Sequence, residues 1–183
     1  MMRKILVINS SPRAGGNTQA LCEAFAQGAR TAGHEVEVLR IGDLDIRPCR
    51  GCLACTHGRG DPCVIADDMR VTYAAYNRAD TLVFASPIYN WTFNGQMMVM
   101  NNRLFADSAS KGFAIPKKEC GFLLTAESDG EDVFALAVTY YHHMLAQRGW
   151  SHLGGVTAGG VLEVGAIAGH PALEDARRLG GEV

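Results

Sequence analysis

The stretch Ser10-Ser11-Pro12-Arg13-Ala14-Gly15-Gly16-Asn17-Thr18 holds the first residues able to do chemistry. It follows a short β-branched apolar run, Ile5 to Ile8, and opens a helix-like pattern. Strand, tight loop and helix N-terminus together make an anion site. The loop N–H groups and the unsatisfied N–H groups of the first helical turn converge, and the helix dipole adds positive potential. Ser11 and Thr18 offer hydroxyls, Asn17 an amide, and Arg13 a fork suited to phosphate, with Gly16 completing the loop. The same residues can also do no more than turn the chain and cap a helix. No Gly-Lys-Ser/Thr closes the loop, so it is no nucleotide-hydrolysing P-loop, and it lacks the GxGxxG dinucleotide pattern.

A second stretch carries Cys49-x2-Cys52-x2-Cys55-x7-Cys63. Three cysteines at consecutive x2 spacing with a fourth nearby suit a compact loop wrapped around a [4Fe–4S] cluster. Zinc more often takes two separated pairs. Free or disulfide-forming thiols are the other reading. Gly51, Gly58 and Gly60 would let backbone N–H groups approach the sulfurs. Cys22 and Cys120 fall in a helix and a buried strand, and read as small core residues. No Ser-His-Asp or paired-carboxylate arrangement can be read from the chain, and no catalytic side chain is assigned.

The elements that position these residues follow from periodicity. Lys4–Asn9 reads as a strand buried on both faces, and Asn17–Ala32 as a helix with an apolar stripe at Leu21, Phe25 and Ala29, capped by Gly33. His34–Ile41 alternates Glu35 and Glu37 with Val36 and Val38, the pattern of an edge strand. The segment 42–67 is irregular and is read as a functional insertion. A short helix runs from Asp67 or Asp68 to Tyr76, a strand spans Ala79–Ser86, and a helix spans Trp91–Phe105. Cys120–Thr125 is a buried strand. Ser128 and Glu131 have capping-box spacing ahead of a helix with Phe134, Val138, Tyr141 and Leu145 inside. A last strand lies within Ser151–Leu162, and Leu173–Leu179 is a closing helix. Alternating strands and helices predict one α/β domain over 1–183, with a doubly wound, five-stranded parallel sheet in the flavodoxin-like order 2-1-3-4-5.

Composition narrows the partners. A chain of 183 residues that is 48% hydrophobic can fill one ample core. A net charge of -2 with no basic run argues against nucleic-acid or membrane-surface binding. No window predicts a membrane span, and Arg3-Lys4 precedes only four strongly apolar residues, too few for a signal-peptide core. The expectation is a cytoplasmic protein, with the cysteines serving metal or redox chemistry.

Ser86-Pro87-Ile88-Tyr89-Asn90-Trp91 follows the third sheet strand, and this topology places it beside the first loop. Two large aromatic faces and several backbone amides near a phosphate site suit a flat heteroaromatic ring. Phosphate loop and aromatic loop together point to FMN.

Ser11-Pro12-Arg13 with Gly16-Asn17-Thr18, followed by Ser86-Pro87-Ile88-Tyr89, resembles the flavodoxin-like NADPH-dependent FMN reductases. The cysteine spacing followed by Asp67-Asp68-Met69 is similar to their iron–sulfur flavoprotein branch. The resemblance implies FMN phosphate on Ser11 to Thr18, the ring against Pro87, Ile88, Tyr89, Asn90 and Trp91, and a third loop from Thr125 near the ring. It also implies NAD(P)H as co-substrate, a quinone, flavin, other small molecule or redox protein as acceptor, and a homodimer or homotetramer. The alternative function is an electron carrier in which FMN and a [4Fe–4S] cluster relay electrons between protein partners. One departure is visible. Met98 and Asn102-Arg103 stand where relatives commonly carry a lysine and Asp-Arg, which removes a charge pair and puts subunit packing in question.

Overall fold

The computed structural model describes residues 1–57, 62–130 and 132–183. Its strands are β1 (Lys4–Asn9), β2 (Glu35–Arg40), β3 (Thr81–Tyr89), β4 (Thr92–Phe93), β5 (Glu119–Thr125) and β6 (Ser151–Ala158). Five of them form a parallel sheet in the order β2-β1-β3-β5-β6, the expected 2-1-3-4-5 topology, and β4 pairs antiparallel with the end of β3. The helices are α1 (Asn17–Thr31), α2 (Met69–Arg78), α3 (Gly95–Ser110), α4 (Asp132–Arg148) and α5 (Ala172–Gly181). Among the described residues no helix is long and apolar enough to cross a membrane.

The sheet is covered on both faces, and its central strands show why they lack polar alternation. Side chains alternate across a strand, so β1 sends Leu6 and Ile8 to one core and Ile5 and Val7 to the other. The first core also takes Met69, Tyr73 and Tyr76 of α2, Met97, Met100 and Leu104 of α3, and Phe134 and Tyr141 of α4. The second takes Leu21 and Phe25 of α1 with Ala172 and Ala176 of α5. α1 and α5 cross at backbone contact: a Cβ on Gly28 would lie 1.9 Å from the Arg177 carbonyl oxygen, and one on Gly180 would lie 2.1 Å from that of Phe25. The edge strand β2 keeps its predicted alternation, with Val36 and Val38 half-buried.

The third helix departs from expectation. It starts at Gly95 rather than Trp91, because Asn90 (φ 53°) and Trp91 (φ 64°) form a two-residue turn that folds Thr92–Phe93 back on Ile88–Tyr89. Consecutive left-handed residues match the twist of a hairpin. The β3 strand therefore runs through Pro87 to Tyr89 instead of stopping at Ser86. Asn94 then caps α3, its Oδ1 accepting from the Met97 N–H at 3.2 Å. Met97 and Met100 are fully buried core residues. Cys22 and Cys120 are also buried, and burial pushes both thiols well up, Cys120 to about 12. The Glu131 half of the expected capping box lies outside the described residues.

Candidate functional site

Parallel strands place their C-terminal ends at one edge, and a cavity of about 260 Å³ opens there. Its floor is the loop after β1. The cap position of α1 is Gly16, which has no side chain to cap the helix, and no acidic residue sits in the first turn. The N–H groups and dipole of that turn are thus left for an anion, with Arg13 beside them. A Cβ on Gly16 would press to 3.1 Å on the Arg13 carbonyl oxygen, so a larger residue there would have to push the turn aside by a few tenths of an ångström. Ser11 Oγ accepts from the Arg13 N–H at 3.3 Å, and Ser11 N–H donates to Asn9 Oδ1 at 3.0 Å. The loop is therefore held from beneath by the end of its own strand.

Asn94 ties this loop to the next one. Its Nδ2 donates to the Ser10 carbonyl at 2.7 Å, and its N–H donates to Ser86 Oγ at 3.1 Å. Fully buried, it joins the ends of β1 and β3 and the start of α3. Thr18 of α1 and Thr125 at the end of β5 share a buried hydroxyl–hydroxyl bond of 2.7 Å. These links set Ser11, Arg13, Gly16, Asn17, Thr18, Pro87, Ile88, Tyr89 and Thr125 around one cavity. Asn90 and Trp91 do not line it. They form the hairpin turn just outside, with Trp91 60% exposed.

Asn17 lines the cavity, but its amide bonds to a neighbouring loop. Nδ2 donates to the carbonyls of Val161 and Glu163 at 3.0 and 2.9 Å, and Oδ1 accepts from the N–H groups of Gly165 and Ile167 at 3.1 and 3.3 Å. Arg13 Nη1 donates to the Leu162 carbonyl at 2.7 Å. A wall thus forms from residues 161–167, and Val161, Leu162 and Val164 line the cavity with Ala126 and Glu127. Sequence reasoning placed this stretch partly in the last strand and did not assign it to the site. The recoverable signal was an apolar run beyond the glycines, next to a loop that needed a cover.

The four-cysteine segment leaves β2 through a 3₁₀ turn, Ile41–Asp43, and enters α2 at Met69. Cys49, Cys52, Cys55 and Cys63 all line one small pocket, whose other walls include Leu53, Val64, Ile65, Phe105 and Ala106. None of the four is in a disulfide. Burial pushes the Cys55 thiol up, and nearby Cys63, Cys49 and Cys52 push the same way. Gly51 (φ 64°) donates its N–H to Cys49 Sγ at 3.4 Å, as expected for sulfur approached by backbone. Gly58 and Gly60 lie outside the described residues. Among the described residues no three Cys, His, Asp or Glu side chains come together as a metal-holding group. The donor set, four free thiols on one apolar pocket, is of the kind that holds iron–sulfur clusters.

Arg103 is not left without a partner. It is 1% exposed and makes a bidentate pair with the fully covered Asp67 carboxylate, Nη1 to Oδ2 at 2.6 Å and Nη2 to Oδ1 at 3.1 Å. Burial alone would raise the Asp67 carboxyl. The bonds from Arg103 and the N–H groups of Arg47 and Met69 outweigh it and hold the carboxyl below the usual carboxylate range.

The family described as NADPH-dependent FMN reductase matches residues 3–146. The iron-sulfur flavoprotein of Methanosarcina thermophila is 29% identical over 160 residues, 84% of this chain and 82% of that protein. The iron-sulfur flavoprotein of Archaeoglobus fulgidus is 36% identical over 86 residues, 47% of this chain and 41% of its own. Among solved structures, the NAD(P)H:quinone oxidoreductase from Methanothermobacter marburgensis has the same fold, with a TM-score of 0.75 at 19% identity over 99% of this chain and 96% of that one.

Proposed function

Because the chain belongs to the NADPH-dependent FMN reductase family, we propose that it is an FMN-dependent oxidoreductase that oxidises NAD(P)H and reduces a quinone, a flavin or another small acceptor. The observation that carries the reading is the uncapped α1 N-terminus with Arg13 at one end of a cavity whose other walls are Pro87–Tyr89 and Val161–Val164. Such a cavity offers a cation and helix N–H groups for a phosphate, and Pro87, Ile88, Tyr89, Val161, Leu162 and Val164 as walls for a ring. Bound FMN would supply hydride acceptance from NAD(P)H and electron delivery to the acceptor.

The chain's own residues do the rest. The α1 N-terminus and Arg13 would hold the phosphate, and Asn17 and Thr18 fix the walls on either side of it. Pro87, Ile88 and Tyr89 sit on a strand end whose hairpin fixes their backbone. No side chain is required as acid or base to position the cofactor, and none is assigned. The experiment is anaerobic addition of NAD(P)H to the FMN-loaded protein, followed by a quinone. The flavin absorbance should bleach and then return. Flavin that stays oxidised contradicts the reductase reading.

The four free cysteines on one pocket favour a second reading, an electron carrier with FMN and a [4Fe–4S] cluster. It requires iron and sulfide in an anaerobic preparation and broad absorbance beneath the flavin bands. Flavin bands alone leave the reductase.

Gly42 gives a separate test of the phosphate loop. A Cβ there would lie 2.2 Å from the Ser11 carbonyl oxygen and 2.8 Å from its carbon, backbone atoms that cannot swing aside. Gly42→Ala should cost about 1–3 kcal/mol of stability by overpacking. It should also weaken FMN binding, although Gly42 does not line the cavity. Fluorescence titration checks this, and wild-type affinity in the variant would show that the loop tolerates the shift.

A further inference from the structure

The segment 42–67 is closed at its neck by bonds between its two ends. Asp68 donates its N–H to the Asp45 carbonyl at 3.2 Å and accepts from the Asp45 N–H through Oδ2 at 2.9 Å. Asp67 Oδ2 accepts from the Arg47 N–H at 2.9 Å, and the Arg47 side chain donates to the Ala66 carbonyl. All four cysteines of the segment lie between Arg47 and Asp67, so this neck determines where they can meet.

One side chain from outside the segment grips both ends of the neck. Arg103 of α3 donates through Nη1 to the Arg47 carbonyl at 2.6 Å and through Nη1 and Nη2 to Asp67. The Arg103 carbonyl in turn accepts from Tyr73 of α2 at 2.8 Å, which anchors the gripping residue to a second helix. Arg103 also lines the cysteine pocket, and its Nε is buried with no hydrogen-bond partner among the described residues. A buried guanidinium N–H without an acceptor is uncommon. The pocket it lines is rich in cysteine sulfur, which accepts hydrogen bonds strongly once anionic.

We propose that Arg103 is the positioning residue of the four-cysteine loop, locking its neck through Arg47 and Asp67 and offering its Nε–H, unpartnered among the described residues, to the group that Cys49, Cys52, Cys55 and Cys63 hold. The proposal rests on the reading that this group is an iron–sulfur cluster. A four-thiolate cluster is anionic and becomes more so when the reductant of a titration gives it one electron. The Asp67 carboxylate offsets the guanidinium's charge, so the effect comes from the N–H: a hydrogen bond donated to a cluster sulfur favours the more negative form and so raises the midpoint potential. Arg103 does this without becoming a ligand, and without depending on pH, because guanidinium keeps its proton.

The test compares the full-length wild type with Arg103→Lys and with the double variant Arg103→Met/Asp67→Leu. The double variant removes both charges together, so that neither is left buried alone and the fold is kept. Each protein is loaded anaerobically with FMN, iron and sulfide and titrated spectroelectrochemically, with the flavin couple as internal reference. The proposal predicts a lower cluster potential, or lost iron, in the double variant. It places the lysine variant between the two and leaves the flavin couple in place. Equal iron content and equal cluster potential in all three overturn it. If the wild type takes up no iron, the cluster reading has failed, and the clasp is judged in the metal-free protein by hydrogen exchange at the Asp68 amide, whose neck bond to the Asp45 carbonyl involves neither substituted side chain. Exchange at least about tenfold faster in the double variant supports the lock, because that bond keeps its acceptor and opens only if the neck does. Unchanged exchange overturns it.

Discussion

Alanine at both Arg13 and Asn17 is expected to weaken FMN binding by about 10²- to 10⁴-fold while the chain stays folded. The two residues act differently. Arg13 offers a charged fork beside the uncapped helix end, and a hydrogen bond to a charged group contributes roughly 1.5–3 kcal/mol. Asn17 acts through the wall. Its four bonds to Val161, Glu163, Gly165 and Ile167 hold the cover of the cavity, and without them Val161, Leu162 and Val164 are no longer fixed. The Arg13 loss and about 1–3 kcal/mol for the wall's backbone groups left unsatisfied sum to about 2.5–6 kcal/mol, which at about 1.4 kcal/mol per tenfold gives the stated range. Flavin content after purification measures the effect, with circular dichroism as the control for folding. Content equal to wild type would remove the phosphate from this loop.

The second large effect is on stability. Asp67→Ala leaves the Arg103 guanidinium buried, without its carboxylate and with Nε already unpartnered among the described residues. Breaking a buried ion pair from one side costs about 3–5 kcal/mol. The urea midpoint should fall with little change in slope. Asp67→Leu combined with Arg103→Met should recover most of the loss, because an apolar pair replaces both charges. The pH dependence carries a sign. Asp67 is held below its unfolded value of about 3.9. Its contribution is therefore complete above that value and is lost as pH falls through the lower, folded value. Wild type should lose this stabilisation only in strong acid. Asp67→Ala lacks it at every pH, so the two stability curves converge as pH falls below 4 and run parallel above about 5. A difference that grows on acidification would contradict the pairing.

Much of the site was legible because it depends on local pattern and topology. The runs at Ile5–Ile8 and Leu82–Ala85 are apolar on consecutive positions, which only a strand covered on both faces requires. Once the five parallel strands are ordered, the loops that follow β1, β3 and β5 must share one edge, and so Ser11, Tyr89 and Thr125 come together. What was not legible depends on partners far apart in the chain. Asn17 looks like an amide waiting for phosphate until residues 161–167 are placed against it. Asn94 looks like part of a helix until the Asn90–Trp91 turn moves the start of α3 to Gly95. Arg103 reads as half of a missing pair until Asp67, 36 residues earlier, closes on it. In each case a polar side chain takes its role from a tertiary contact, for which no local periodicity exists.

The central claim, that the α1 N-terminus holds the phosphate of a flavin in this cavity, is tested most directly by one equilibrium titration. Flavin-free protein is titrated with FMN and with riboflavin, which shares the ring but has no phosphate, and quenching of flavin fluorescence is followed. Binding of FMN at least about 100-fold tighter than riboflavin is the predicted result, the loss of two or more charge-assisted bonds. Equal affinity for the two, or no quenching by either, would contradict it.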